Sequence, residues 1–197
     1  MLLKLSMENN LEKLGYDWIK SEAGRVDISS GYYCQTRDVF QARLEKMQND
    51  LLADGRIKED QVYIVSAIAG EIGNNSFDHN LGNWPDAPGV FFAYGFSDGK
   101  LKIVLADRGQ GILKTLKSVK PELTDDARAL DTAFNEKISG RAPENRGNGL
   151  KFVKANIKSA GLRLIFISGK AEAGLDEKME IREAKEKLNG CLAILTV

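Results

Sequence analysis

Apolar residues recur at every third or fourth position in the first third of the chain. Residues 11–18 follow this spacing, and residues 40–51 follow it again in a longer segment. The spacing predicts two amphipathic helices, the second over about residues 36–53, separated by a linker rich in Gly, Ser and Asp. A third apolar stripe predicts a helix over about residues 59–79, whose last two turns are unusually polar.

The second half of the chain changes to short runs of apolar residues separated by turns. Two of these runs flank the turn at residues 97–100, which predicts a β-hairpin. The expected strands are residues 90–96, 101–106, 162–168 and 191–197, with a shorter, more charged strand around 179–183. Short helices are expected near residues 112–119 and 125–137, and another ends near residue 160. The mixture predicts an α/β layer arrangement.

Composition narrows the class of protein. The 197 residues carry 28 basic and 28 acidic side chains, so the net charge is zero, which argues against a main role in gripping nucleic acid. No apolar run approaches the roughly 18 residues of a membrane span. The two cysteines, Cys34 and Cys191, form no disulfide or zinc pattern, and we expect both to be small buried hydrophobes in a cytoplasmic protein.

Chemically active side chains crowd the end of the third predicted helix. Glu71, Asn75 and His79 are four residues apart, so they share one stripe of a helix. One interpretation is a solvated face at a frayed helix end, since Asn is a poor helix former. In the other, Asn75 offers an oxygen to a hard cation and Glu71 orients or deprotonates an attacking hydroxyl or water. Both interpretations stay open on these residues alone.

A second constellation, D-x-G-x-G, lies between a predicted strand and a predicted helix. A flexible turn is the simpler interpretation. In a functional one, the Asp107 carboxylate accepts a hydrogen bond from an exocyclic amine on a ring buried against the sheet. Gly109 and Gly111 would let the backbone come close to that ring. The dinucleotide fingerprint G-x-G-x-x-G is absent from this turn.

A third constellation precedes the helix that ends near residue 160. It reads Arg146, Gly147, Asn148, Gly149 and Leu150. Exposed amides at a helix N-terminus, next to residues without a Cβ, suit a phosphate group, although a glycine-rich loop can simply start a helix. The P-loop pattern is absent. The basic residues that are candidates for reaching phosphate oxygens are Arg141, Arg146, Lys151 and Lys154.

Together, the three motifs resemble the GHKL group of gyrase-type ATPases, chaperone ATPases, histidine kinases and mismatch-repair proteins. Residues 71–79 resemble its N box, and residues 107–111 and 147–150 resemble its two glycine boxes. The resemblance covers about residues 58–197. It implies an α+β two-layer sandwich, with a mixed, mostly antiparallel sheet and helices on one face. Residues 1–57 would then be a helical N-terminal extension of an ATP-binding domain.

The resemblance also implies roles for single residues, with ATP and Mg²⁺ as the cofactors. Asn75 would help hold Mg²⁺ against the phosphates, Asp107 would hydrogen-bond the adenine amine, and Glu71 would be the candidate base. The remaining binding residues would be Gly109, Gly111 and Ile112 at the adenine, and Arg146, Gly147, Asn148, Gly149 and Leu150 around the triphosphate.

Two further features concern the edges of this expected site. Residues 113–145 match the mobile lid that covers ATP in this group, and Gly140 and Pro143 suit a hinge. In many relatives a Thr or Ser follows the glycine that opens the last strand and assists adenine recognition. Here Gly190 is followed by Cys191, a departure from that pattern that weakens the adenine prediction at this point.

The branch of the group is narrowed by what the chain lacks. Its one histidine, His79, lies inside the N box, which excludes autophosphorylation on a helical hairpin as in sensor histidine kinases. The motif style looks more like the small anti-sigma-factor serine/threonine kinases. The first hypothesis is therefore a small soluble, cytoplasmic protein kinase or ATPase that acts on a separate partner protein in bacterial-type signalling. The alternative is an ATP-dependent regulatory binding module with little phosphoryl transfer.

The front helices have two interpretations of their own. The apolar stripe at residues 40–51 either packs on the ATP-binding layer or forms a face for a homodimer or a partner protein. Neither a nucleic acid nor a membrane is an expected partner.

Overall fold

The computed structural model describes residues 11–137 and 149–197, which form six helices and one five-stranded sheet. The helices are α1 (Leu11–Lys20), α2 (Arg37–Asp54), α3 (Glu59–Asn80), α4 (Gly111–Lys117), α5 (Asp126–Asn135) and α6 (Gly149–Ser159). The strands are β1 (Tyr33–Cys34), β2 (Val90–Ser97), β3 (Lys100–Asp107), β4 (Arg163–Leu175) and β5 (Met179–Thr196). The strand order is β1-β2-β3-β5-β4, and every neighbouring pair is antiparallel. The α+β sandwich is thus confirmed.

Side chains of the sheet alternate between two faces, and each face has its own apolar cluster. We call the inner face the one covered by α2, α3, α5 and α6; on β3 it receives Leu101, Ile103 and Leu105. The outer face receives Val104 and Ala106 and is covered by α1. A helix on the second face is a layer beyond the two that the sequence predicts.

Helix α2 packs on the inner face. Thr36 caps its N-terminus by accepting a hydrogen bond from the Val39 N–H at 3.3 Å. Phe40, Met47 and Leu51 are at most 3% exposed and belong to the inner cluster. Of the two interpretations of this stripe, packing against the sheet layer is therefore the one confirmed.

Helix α3 continues through its polar end because α2 supports it. Gly73 has no side chain, and the Phe40 ring fills the place that a Cβ there would take. Gln41 Nε2 donates to Asn74 Oδ1 at 2.8 Å, and Arg37 forms an ion pair with Asp78. These contacts hold two successive asparagines in a helix that their propensity alone disfavours.

Strands β4 and β5 form a hairpin that extends beyond the rest of the sheet. Only the last part of β5 pairs with β3, while Ala171–Leu175 pair with residues 179–183. The sequence predicts two separate strands at 179–183 and 191–197, and this expectation is wrong. The strand is continuous because Ala184 and Leu188 pack on the outer face between charged, exposed neighbours. The register shifts between Ser168 and Ala171 mark an irregularity in the pairing.

Helix α5 is built into the inner core. Ala129, Leu130 and Phe134 are at most 1% exposed, and the Phe134 ring lies edge-on to Phe166 at 5.6 Å. The Lys170 N–H donates to Asp126 at 2.8 Å, which fastens the start of the helix to β4. Much of the stretch matched to a lid is therefore a packed part of the fold. The expected hinge residues Gly140 and Pro143 lie outside the described residues.

Two further expectations concern membrane spans and the division of the chain into two parts. Across residues 11–137 and 149–197, no helix is both long and apolar enough to span a membrane. The division of the chain at residues 57 and 58 stays a prediction, although α1 and α2 both lie against the same sheet.

Candidate functional site

The polar end of α3 sends its side chains in three directions. Asn74 and Asp78 contact α2. Glu71 and Asn75 face the start of α6. Ser76 and Asn80 reach the end of β3. Because the pairs are offset around the helix axis, one short segment of α3 contacts three neighbouring elements.

Asp107 ends β3 with its carboxylate on the inner face, where the side chain is 3% exposed. Ser76 Oγ donates to its Oδ2 at 2.8 Å, and the Gly109 N–H donates to its Oδ1 at 2.8 Å. Asn80 Nδ2 lies 3.5 Å from the same Oδ1, at the limit of a hydrogen bond. The carboxylate is thereby fixed in direction by α3 and by its own loop.

The electrostatics of Asp107 are set by burial. Loss of solvent raises the pKa of its carboxyl, and hydrogen bonds from Ser76, Gly109, Cys191 and Asn80 oppose that rise without cancelling it. The group is a buried acceptor whose present donors all belong to the protein. The amine of a buried heterocycle has the chemistry to share or replace one of these hydrogen bonds.

Asn80 shapes the loop that follows Asp107. Its Oδ1 accepts from the Gln110 N–H at 2.9 Å, and its Nδ2 donates to the Ser76 carbonyl at 2.9 Å. A Cβ on Gly109 would overlap the Asn80 amide. The glycine at this position therefore makes room for Asn80, a reason that the D-x-G-x-G pattern alone does not reveal.

The far side of the loop is held by β4. Ser168, 2% exposed, accepts a hydrogen bond from the Ile112 N–H at 3.0 Å and donates to the Gly190 carbonyl at 3.3 Å. A Cβ on Gly111 would come within 3.1 Å of the same hydroxyl. Gly111 and Ile112, both predicted at the adenine, are thus brought beside Asp107 by a serine that sequence reasoning missed.

Cys191 lies directly opposite Ser168 in the sheet, with its Sγ 3.6 Å from the serine Oγ. Burial, followed by the nearby Asp107 carboxylate, raises the pKa of the Cys191 thiol well above its usual range. Burial likewise raises the pKa of Cys34, which is fully buried. Cys34 is buried as expected, whereas Cys191 is partly exposed, and the raised pKa values hold both thiols neutral.

Glu71 and Asn75 meet the start of α6. A Cβ built on Gly149 would overlap the Glu71 carboxylate and would lie 3.1 Å from Asn75 Nδ2. Gly149 thus allows the N-terminus of α6, whose first amides have no acceptor within the helix, to lie against both side chains. The first and third sequence motifs are brought together at this point.

The other predicted residues of the third motif divide into two groups. Leu150 is partly buried against the inner cluster, and Lys154 Nζ donates to Asn135 at the end of α5. The predicted phosphate residues Arg146, Gly147 and Asn148, and the candidate Arg141, lie outside the described residues.

Sequence reasoning missed Ser76, Asn80 and Ser168. A signal for the first two was present, because they continue the stripe 72, 76, 80 that lies next to the stripe of Glu71 and Asn75. Ser168 carried no such signal, since its place opposite Cys191 depends on the register of β4 and β5.

Comparison with known proteins finds a structural likeness but no match in sequence. No family model and no curated protein matches the chain. A chain in the crystal structure of the SiaB-SiaC complex from Pseudomonas aeruginosa is similar, with 16% identity and a TM-score of 0.44, over 84% of this chain and 87% of that one. At this level the likeness says nothing about the site or its chemistry.

Proposed function

We propose that this protein binds Mg·ATP in the manner of the GHKL group and acts as a small protein kinase or ATPase on a separate partner protein. One observation carries the proposal: three motifs far apart in sequence converge on α3. Glu71 and Asn75 abut the start of α6, while Ser76, the next residue, bonds Asp107. The spacing of the motifs along the chain does not require this convergence.

The Asp107 end of the site suits adenine. A buried carboxylate with a fixed direction favours a ligand that donates a hydrogen bond, because a ligand that presents an acceptor there would face another acceptor in a buried site. Ile112 is partly buried at the inner cluster beside it and offers an apolar surface for the ring. The residues present therefore fit an aminopurine.

The α6 end of the site suits phosphates together with a magnesium ion. The N-terminus of α6 attracts anions, but the Glu71 carboxylate beside it repels them. A divalent cation resolves this conflict, and Asn75 supplies a hard oxygen ligand of the kind that Mg²⁺ prefers. No cluster of three or more His, Cys, Asp or Glu side chains that could hold a metal occurs within residues 11–137 and 149–197. That fits Mg²⁺, which commonly takes most of its ligands from phosphates and water.

Phosphoryl transfer depends mainly on positioning and electrostatic stabilisation. ATP supplies the phosphoryl group when bound. Asn75 would help hold Mg²⁺ against the phosphates, and Glu71 accepts or orients the proton of the attacking Ser, Thr or water hydroxyl. The acceptor comes from another protein.

Calorimetric titration with Mg·ATP tests the binding half of the proposal. Wild type should bind saturably, and Asp107→Asn should weaken binding by about 1–3 kcal/mol, because one acceptor position becomes a donor. Asp131→Asn, an exposed change of the same type on α5, is the matched control and should bind like wild type. Absence of saturable binding to folded wild-type protein would overturn the proposal.

Glu71→Gln tests the reaction half. Turnover, measured as ADP release with and without a candidate acceptor protein, should fall about 10²- to 10⁴-fold, while Mg·ATP binding is largely kept. Glu122→Gln, exposed before α5, serves as the control. Unchanged turnover in Glu71→Gln would overturn the role of Glu71 as the base. Negligible turnover in wild type, with a partner affinity that depends on nucleotide but not on Glu71, would instead identify the regulatory binding module.

A further inference from the structure

Arg108 links the candidate site to the opposite face of the sheet. It stands between Asp107 and Gly109, is 9% exposed, and sends its side chain to the outer face. Its Nη1 donates to the carbonyl oxygens of Trp18 and Ile19 at 3.0 and 2.7 Å, at the C-terminal end of α1. The last carbonyls of a helix lack partners within the helix and carry its negative dipole end, so a buried cation is well placed there.

The same guanidinium also holds the loop after α3. Its Nε donates to Asp86 Oδ2 at 2.9 Å, and its Nη2 forms an ion pair with that carboxylate at 2.5 Å. Burial alone raises the pKa of Asp86, but Arg108 beside it brings the pKa below its usual range. The Asp86 carboxylate is therefore ionised at neutral pH. The Arg108 side chain thus joins α1, the loop after α3 and the Asp107–Gly111 loop.

The middle of α1 packs on the sheet as closely as its C-terminal end does. A Cβ on Gly15 would lie 2.6 Å from Val104 Cγ1 and 3.3 Å from Leu192 Cδ1, so a side chain there requires α1 or the contacting side chains to shift. Trp18 and Ile19, whose carbonyls Arg108 binds, are 5% and 3% exposed in the outer cluster. A displaced α1 cannot keep its carbonyls on Arg108.

We propose that Arg108 is a positioning residue of the site: it couples the docking of α1 on the outer face to the conformation of the Asp107–Gly111 loop. Through this coupling, nucleotide binding and α1 docking favour each other; this second half rests on the proposed function. Coupling of this kind is reciprocal, so the factor by which α1 displacement weakens the nucleotide equals the factor by which the nucleotide stabilises docked α1.

Hydrogen exchange without nucleotide tests the coupling by itself. In Gly15→Ala, alanine favours the helix itself, so any loosening of α1 reports undocking. We expect exchange in residues 11–20 to rise and the amides of Gly109, Gln110 and Ile112 to exchange about tenfold faster, while β2 changes little. Lys13→Ala, which removes an exposed ion pair on the same helix, is the control and should leave the loop unchanged. Faster exchange in α1 with an unchanged loop would overturn the proposal.

The second experiment repeats the hydrogen exchange with nucleotide and measures a change that an arginine with a purely structural role would not affect. In wild type, saturating Mg·ATP should slow exchange at residues 11–20, and Gly15→Ala should weaken Mg·ATP by a matching factor of about 5 to 20. Arg108→Gln should abolish the slowing, whereas Arg25→Gln, an exposed arginine, should not. If wild type binds Mg·ATP without slowing exchange in α1, the coupling is overturned. If wild type does not bind at all, the proposed function fails, and the nucleotide-free arm still decides the coupling.

Discussion

The two faces of the sheet are covered in different ways. The inner face carries four packed helices and a cluster in which Phe40, Met47, Leu130 and Phe134 are almost fully buried. The described part of the outer face is covered by one ten-residue helix, α1. The contact between α1 and the sheet combines aromatic packing with ion pairs at its edge. The inner layer therefore supplies most of the apolar burial that stabilises the fold.

The comparison separates the residues that stabilise the fold from the residues that support the candidate site. Asp107 faces the inner layer and Arg108 the outer layer, so one step along the chain passes from the site itself to its external support. Changes in the inner core should unfold the protein as a whole. Changes in the outer layer should be cheaper and should be felt mainly at the loop between the two residues.

Phe40→Ala should have the largest effect, because it empties the centre of the inner layer. Phe40 is fully buried, with Phe92 edge-on at 5.3 Å and Phe77 at 6.1 Å. Loss of such a ring costs about 3–5 kcal/mol of unfolding free energy, measurable by urea denaturation. The neighbouring Val39→Ala is the control, since Val39 is 40% exposed, and it should change stability by about 0.5 kcal/mol or less. A loss below about 1 kcal/mol for Phe40→Ala would contradict the central place of α2 in the core.

Asp107→Asn should have a smaller effect of opposite sign at neutral pH. Burial raises the pKa of Asp107 in the folded state, so the folded protein holds that proton more tightly than the unfolded chain. Its contribution to stability is therefore full in acid and is lost as the pH rises through the folded-state pKa. The asparagine has no charge to bury, and the Ser76 hydroxyl can reverse to accept from its amide.

Thermal melting between acid and neutral pH checks this expectation. We expect a gain of a few degrees in the Tm of Asp107→Asn at neutral pH, which disappears below the ordinary carboxyl range. Asp131→Asn should show no gain of this kind. A variant that is less stable than wild type at neutral pH would mean that the hydrogen bonds of the carboxylate outweigh its burial.

Lys20→Ala should have the smallest effect. Lys20 Nζ lies 2.6 Å from Glu186 Oε2 at the rim of α1, and both side chains are nearly half exposed, at 46% and 44%. Exposed pairs of this kind contribute about 1 kcal/mol or less and weaken in salt. Urea denaturation at low and high salt should show a small loss that shrinks with salt, with the same loss in Glu186→Gln. A loss above about 2 kcal/mol would mean that charge, more than apolar contact, holds α1.

The parts of the fold that the sequence predicted are those governed by local periodicity. The helical stripes of α2 and α3 and the β2–β3 hairpin each have a pattern that a short window reveals. Strand β1 is two residues long and exists only because Tyr33 and Cys34 pair with β2. The continuity of β5 depends on α1 covering Ala184 and Leu188, which no local window contains.

The residues of the candidate site fall into the same two groups, those that a local sequence pattern marks and those that depend on tertiary contacts. Glu71, Asn75, Asp107 and Gly149 were predicted as site residues because motif order marks them, and the structure brings Glu71 and Asn75 to Gly149. Their supports were not predictable, because Arg108 acts across the sheet and Ser168 acts through strand register. A motif can name the residues that meet a ligand, but it does not name the residues that hold them.

The docking of α1 has a consequence for how the chain folds during synthesis. The first described helix packs on Leu188, Leu192 and Ile194 of β5, the last described strand. A ribosome makes α1 before β5, so until β5 is made α1 can contact only the β1–β3 part of its packing surface, including Phe91 beside Trp18. The outer layer should therefore close last, and a nascent chain that stalls before β5 would offer its apolar α1 to chaperones.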